Sequence, residues 1–182
     1  MNFSKYILDK AGWKVDFSIG AFPDKCVVCI APHTTNWDFV IGKLVCSALN
    51  EKGHFLIKKS WTAFPLSLVF NPMGAIPVDR TKKTSVTEQV INFFNESKKL
   101  MVAVAPEGTR KRNPEWKRGF YYIALGAKIP IVLASIDYVK KLVNVGKIFY
   151  PTGNIDEDMI EIQRFYKGVT GKYPENFVIP SE

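Results

Sequence analysis

Cysteine is scarce here, at three residues in 182, and no second Cys pair stands beside Cys26 and Cys29 to complete a zinc site. Those two lie inside the apolar run Cys26-Val27-Val28-Cys29-Ile30-Ala31. In a strand, residues three apart point to opposite faces, so they can neither share a metal nor pair readily. Buried thiols in a reducing compartment are the expectation. Histidine is rarer still, with only His33 and His54. Long apolar runs are missing too. The longest, Trp61 to Val78, is broken by Pro65, Asn71, Pro72, Gly74 and Pro77, which excludes an ordinary spanning helix. The first fourteen residues carry Lys5, Asp9, Lys10 and Lys14 and lack the apolar core of a signal peptide. There is no G-x-S-x-G, so the nucleophile elbow of a serine esterase is absent. Internal repeats and low-complexity tracts are also absent.

What is present fits one globular domain, residues 1–182. Hydrophobic residues make up 47% and charged residues 23%, a balance that excludes a disordered or fibrous chain. The 13% aromatic share is compatible with an aromatic core or with a surface that meets lipid. Net charge is +8, unevenly spread: six acidic and three basic residues follow from Ile155 onward, against 22 basic and 11 acidic before it. A basic body favours anionic partners, whether nucleic acid, anionic membrane or phosphorylated small molecules.

Apolar β-type runs are predicted at Cys26–Ala31, His54–Lys58, Ala75–Val78, Leu100–Ala105, Ile131–Ile136 and Val143–Tyr150. Helical spacing is predicted over Phe39–Leu49 (closed by Gly53), Ser85–Ser97, Glu115–Lys128 and Asp156–Tyr166. Residues 1–25 and 155–182 are expected to form N- and C-terminal helical segments. The alternation predicts an α/β fold, a mainly parallel or mixed sheet flanked by helices. Chemistry in such folds gathers where strands end and helices begin.

Two constellations sit at such places. Pro32-His33-Thr34-Thr35-Asn36-Trp37-Asp38 follows the first strong strand. Thr34, Thr35 and Asn36 are good helix caps, and Asp38 falls in the next helix's first turn. In one continuous helix His33 and Asp38 would diverge by about 140°. A strand-end His and a helix-start Asp instead face each other across the turn. A carboxylate against one ring nitrogen fixes the tautomer and leaves the other free to accept a proton. His54, in a strand beside Phe55 and Leu56, reads as structural.

Pro106-Glu107-Gly108-Thr109-Arg110 follows the strand that ends at Ala105. Gly108 permits a tight turn, Thr109 offers a hydroxyl, and Arg110 a planar fork for phosphate oxygens. Lys111, Arg112, Lys117 and Arg118 extend the basic cluster, and Glu107 is expected to orient Arg110 or bond a substrate hydroxyl. Gly74 to Arg80 and Lys58-Lys59 bring further cations to strand ends.

Together these elements resemble the glycerolphosphate and lysophosphatidate acyltransferase family. The resemblance rests on His33…Asp38, Gly74…Arg80, Glu107-Gly108-Thr109-Arg110 and Ile129-Pro130-Ile131-Val132, in that order, with Lys58-Lys59 and Lys117-Arg118-Gly119 beside them. It implies a glycerol-3-phosphate acyltransferase-like fold and an O-acyltransferase. The donor would be a fatty acyl thioester, acyl-CoA or acyl carrier protein. The acceptor would be a lysophospholipid such as 1-acylglycerol 3-phosphate. By similarity, His33 with Asp38 would deprotonate the acceptor hydroxyl. Glu107, Gly108, Thr109, Arg110 and Arg80 would hold its phosphate, with Lys58 and Lys117 in support. No metal or other cofactor is implied, and no nucleic acid. Pro32 stands where the family commonly has Asn, and Pro77 where an aromatic is usual. Those departures leave another acceptor, such as an amino-acid lipid, open.

A lipid substrate implies a cytoplasmic protein in peripheral contact with the inner face of an anionic membrane. The segment from Trp61 to Phe70 is either the part that lies on that membrane or an internal helix covering the sheet. The rival class is a basic nucleic-acid binder, which gives His33 and Asp38 no task.

Overall fold

The run from Lys25 to Ala31 becomes the central strand of the sheet because it is apolar from Cys26 onward and has a buried neighbour on each side. The computed structural model describes residues 2–79, 81 and 84–180. In chain order its elements are α1 (Phe3–Lys10), β1 (Lys14–Asp16), β2 (Lys25–Ala31), α2 (Trp37–Ala48), β3 (Gly53–Lys58), α3 (Ser67–Phe70), β4 (Ala75–Val78), α4 (Val86–Glu96), β5 (Leu100–Val104), α5 (Gly119–Ala127), β6 (Ile131–Asp137), β7 (Leu142–Phe149) and α6 (Ile155–Arg164). Among the described residues the strands form one seven-stranded sheet, ordered β1-β7-β6-β2-β5-β3-β4. Only β6 and β7 pair antiparallel; every other neighbour is parallel. The sheet is therefore mixed, and β2, β3, β4, β5 and β6 all end at the same edge.

Alternation along β2 divides the core. Val27, Cys29 and Ala31 face one layer with Val90 and Phe94 of α4, Phe120 and Tyr121 of α5, and Ile162 of α6. Cys26 and Val28 face the other, beneath α2. The two thiols thus point apart, and burial pushes both up to about 12. On the α2 side, Leu8 of α1 packs with Ile41 and Val45.

Local chemistry explains several boundaries. Ser85 and Glu88 form a reciprocal capping box that starts α4, with Glu88 N–H to Ser85 Oγ at 3.1 Å and Ser85 N–H to Glu88 Oε2 at 2.8 Å. Gly126 lets α5 approach α4, since a Cβ there would stand 2.6 Å from Ile91 Cδ1. Helix α2 starts at Trp37 and is closed by Asn50 in the left-handed region (φ 56°), not by Gly53, which opens β3. The helix expected from Glu115 begins only at Gly119. Trp116 instead turns inward, donating Nε1–H to Val178 O at 3.1 Å and meeting Tyr166 edge-on. Residues 1–25 are not wholly helical: α1 is followed by the strand β1, paired with β7. Of the segment 155–182, the described residues hold α6 and then a largely irregular tail with one 3₁₀ turn, Pro174–Asn176.

Phe94 is wholly buried between α4 and the sheet. Its truncation to Ala is expected to cost about 3–5 kcal/mol, read from the midpoint shift in urea unfolding.

Candidate active site

His33 and Asp38 meet at the end of β2, where the chain turns into α2. The His33 ring is partly exposed, Asp38 is buried, and Nδ1 lies 3.2 Å from Asp38 Oδ2. The same oxygen accepts the N–H groups of Thr34 (2.8 Å) and Thr35 (2.9 Å). Oδ1 accepts the Tyr138 hydroxyl at 2.6 Å. The carboxylate therefore closes the turn that leads into α2, and no side chain caps the helix itself. Asn36 occupies the cap position without a side-chain bond, and Thr35 Oγ1 reaches only Trp37 N–H, at 3.4 Å. A carboxylate only accepts, so the network assigns the imidazole proton to Nδ1 and leaves the Nε2 lone pair free.

Glu107 enters from the end of β5, the strand beside β2. It does not orient Arg110. Its side chain turns inward, and Oε1 accepts the backbone N–H of His33 at 2.8 Å. Oε2 is buried with no hydrogen-bond partner among the described residues. Burial, with Asp38 nearby adding to it, raises the pKa of this carboxyl above its ordinary range.

Gly108 then turns with φ at 67°, and a Cβ there would press on Lys117 Cγ at 3.2 Å. The loop beyond is tied at its base by Lys117 N–H to Pro106 O (2.6 Å) and by Asn113 Nδ2 to Glu107 O (2.8 Å). Thr109 Oγ1 accepts the Lys111 amide at 3.2 Å. Arg110 and Lys117 are exposed, and neither side chain has a hydrogen bond or ion pair among the described residues. Arg118, by contrast, pairs with Asp156 at 3.1 Å. Lys58 ends β3, two strands away from β2 along the same sheet edge, with β5 between them. Arg80 lies outside the described residues. Lys59 pairs with Asp79 at 3.4 Å.

Below His33 a cavity of roughly 210 Å³ runs between α2 and the sheet. Its walls are mainly apolar: Val28, Ile30, Phe39, Cys46, Met101 and Ala103. Gly42 also lines it, and a Cβ at Gly42 would meet open space. Lys43 enters the wall, where its ammonium donates to Gly53 O (3.0 Å) and Met73 O (2.8 Å). His54, read as structural, bonds Met101 O through Nδ1 at 3.2 Å and lines the cavity as well. Among the described residues no cluster of three or more His, Cys, Asp or Glu is placed to hold a metal ion.

Sequence reasoning missed Tyr138. It follows β6, the other neighbour of β2, so the strand-end rule already pointed to its position. It also missed the tail: Tyr173 N–H reaches Thr34 Oγ1 at 3.3 Å, and Lys172 lies over the Trp37 ring at 5.6 Å.

This geometry agrees with the class to which comparison assigns the chain. The family model described as Acyltransferase matches residues 17–137, about two thirds of the sequence, and the chain belongs to that family. Among solved structures, the 1-acyl-sn-glycerophosphate (LPA) acyltransferase PlsC from Thermotoga maritima is similar in fold, with a TM-score of 0.62 and 16% identity. The similarity covers 91% of this chain and 74% of that one. No curated protein matches the sequence.

Glu107 supplies a pH test. Because its native carboxyl is raised, ionisation costs more in the folded than in the unfolded chain. The penalty is absent below the ordinary carboxylate value of 4.5, grows as pH rises through it, and levels off above the raised native value. Glu107→Gln keeps an acceptor for His33 N–H and carries no charge. Its Tm relative to wild type should therefore climb between about pH 4 and 8. A difference in melting temperature that stays flat across that range contradicts the reading.

Proposed function

We propose that this acyltransferase moves a fatty acyl group from a thioester to a hydroxyl of a lysophospholipid-type acceptor such as 1-acylglycerol 3-phosphate. His33 is the general base. The observation that carries the proposal is one juxtaposition: a carboxylate-held imidazole lining an apolar cavity, with Arg110 and Lys117, unpaired among the described residues, in the loop that follows the neighbouring strand.

The acyl chain fills the cavity, and each buried methylene contributes about 0.8 kcal/mol of transfer from water. Arg110 and Lys117 take the acceptor phosphate, Arg110 through its planar fork. Gly108 allows the backbone to turn beneath that phosphate. His33 Nε2 removes the hydroxyl proton as the oxygen attacks the thioester carbonyl. The C–S bond then breaks, and the imidazolium returns the proton to the departing thiolate. Ester and free thiol are the products. Asp38 keeps the ring in the one tautomer that can do this and balances its transient charge. Transfer is direct. Cys46 is the thiol lining the cavity, and burial raises its pKa, so it stays protonated and is a poor nucleophile.

The likeness to PlsC supports a phosphate-bearing glycerolipid acceptor and a place in phospholipid biosynthesis. The donor is acyl-CoA or acyl carrier protein, and the acceptor is reached from the surface of an anionic membrane. The described residues contain no helix long and apolar enough to cross a membrane.

Thiol release on mixing each thioester with 1-acylglycerol 3-phosphate, followed by mass analysis of the lipid, tests the activity. His33→Ala should stay folded and lose about 100- to 10,000-fold in kcat. Normal turnover by that variant rejects the mechanism. Arg110→Ala should chiefly raise KM for the phosphorylated acceptor, by about 10-fold or more.

The cavity makes a separate prediction. Gly42→Leu has room to enter it without displacing the fold. It should shift donor preference to shorter acyl chains, by about fourfold in kcat/KM for each methylene excluded. An unchanged chain-length profile would show that the chain lies elsewhere.

A further inference from the structure

The connection from β3 to β4 departs from the usual pattern. Parallel neighbours are commonly joined by an amphipathic helix that covers the sheet. Here residues 59–74 join them instead, on the α2 side, as the Lys43 bond to Met73 O indicates. Neither of its short helical turns, Lys59–Thr62 and Ser67–Phe70, contributes a buried residue. Yet the segment carries Phe64 (82% exposed), Leu68 (68%), Val69 (56%), Trp61 (50%) and Leu66 (45%). Five large apolar side chains within nine residues face water and do nothing for the core. The alternative of an internal helix covering the sheet is excluded by that exposure.

We infer that this segment is the surface by which the protein docks on an anionic lipid bilayer. The choice of lipid rests in part on the acyl-transfer reading, and the surrounding charge and shape argue for it independently. Lys58 and Lys59 stand at the base of the segment, exposed, and the chain before Ile155 carries 22 basic against 11 acidic residues. That excess attracts an anionic surface and repels a second copy of the same chain. Phe64 precedes a proline, and the two helical turns are too short to offer the continuous ridge that a protein groove grips. A disordered, deformable lipid interface accepts such an irregular knuckle, and Trp61, stacked on Phe70 at 5.7 Å, has the amphipathic ring suited to headgroup depth. Position agrees as well. The segment leaves β3 at the edge where β2 delivers His33, beside α2, whose outer side exposes Trp37 and Val40. Docked there, the protein draws acyl chains from the bilayer into the cavity beneath α2.

The test is flotation of the full chain with phosphatidylglycerol-containing vesicles, with pure phosphatidylcholine vesicles for comparison and no thioester present. Wild type should float with the anionic vesicles and at least about tenfold less with the neutral ones. The double variant Phe64→Ser, Leu68→Ser alters only exposed side chains. It should lose about tenfold or more in binding while keeping its Tm and its turnover of a short-chain, water-soluble acceptor. Tyr150→Ser, equally exposed at the opposite edge, should bind as wild type does. Undiminished flotation of the double variant overturns the inference. So does a wild type that ignores vesicles but self-associates through a contact that the double variant abolishes. Because flotation needs no turnover, absent thiol release defeats the catalytic reading without touching this result.

Discussion

The Asp38 carboxylate is where the two layers of this protein are joined for chemistry. One side chain accepts two backbone amides from the turn after β2, a phenol from the corner after β6, and the imidazole of His33. Charge-assisted bonds of this kind are about twice as strong as neutral ones, and a buried carboxylate without them would be costly. With three partners on Oδ2 and the phenol on Oδ1, the carboxylate is held at both oxygens, and it in turn orients the ring. Glu107 adds a second tether by gripping the His33 backbone from the opposite neighbouring strand. The His33 ring is thus set by three adjacent strand ends, β6, β2 and β5, rather than by a flexible loop.

This arrangement explains why polar and apolar features lie so near one another. Parallel strands deliver their termini to one edge, where helix starts and turns supply donors and cations. The same strands, seen from the α2 face, are lined by Val28, Ile30, Ala103 and Ala134, whose modest size leaves the cavity open. Lys43 spans that wall with two of its ammonium donors bonded to carbonyls, so its charge beside the apolar space is compensated by backbone dipoles. On the proposed function, the acyl group and the phosphate lie on either side of His33.

Much of this was legible in the residues. Alternation and strand-end logic located His33 beside Asp38 and placed Glu107 through Arg110 just past the end of another strand; that this strand adjoins β2 is known only from the structure. The apolar spacing from Ser85 onward located α4. What failed did so for physical reasons. Glu107 reads as a surface carboxylate among cations, but its Oε1 finds a backbone donor inward, a contact of 74 residues' separation that no local pattern encodes. Trp116 belongs by periodicity to a helix, yet burial against Tyr166 and Phe177 outweighs the few tenths of a kcal/mol of helix propensity at that position. The three residues of β1 are too few to show alternation; they are a strand only because β7 offers its edge. The 59–74 connection was ambiguous because apolar content alone does not say which way side chains face.

The antiparallel turn between β6 and β7 has a wider reach than its length suggests. Its corner carries Tyr138, while Lys141 donates from Nζ to Ala11 O and accepts the Lys14 amide through its own carbonyl. The N-terminal segment is therefore fastened to the same few residues that pin the phenol against Asp38. The C-terminal end of α1, at Ala11, is thus anchored by the same corner that sets a phenol on Asp38.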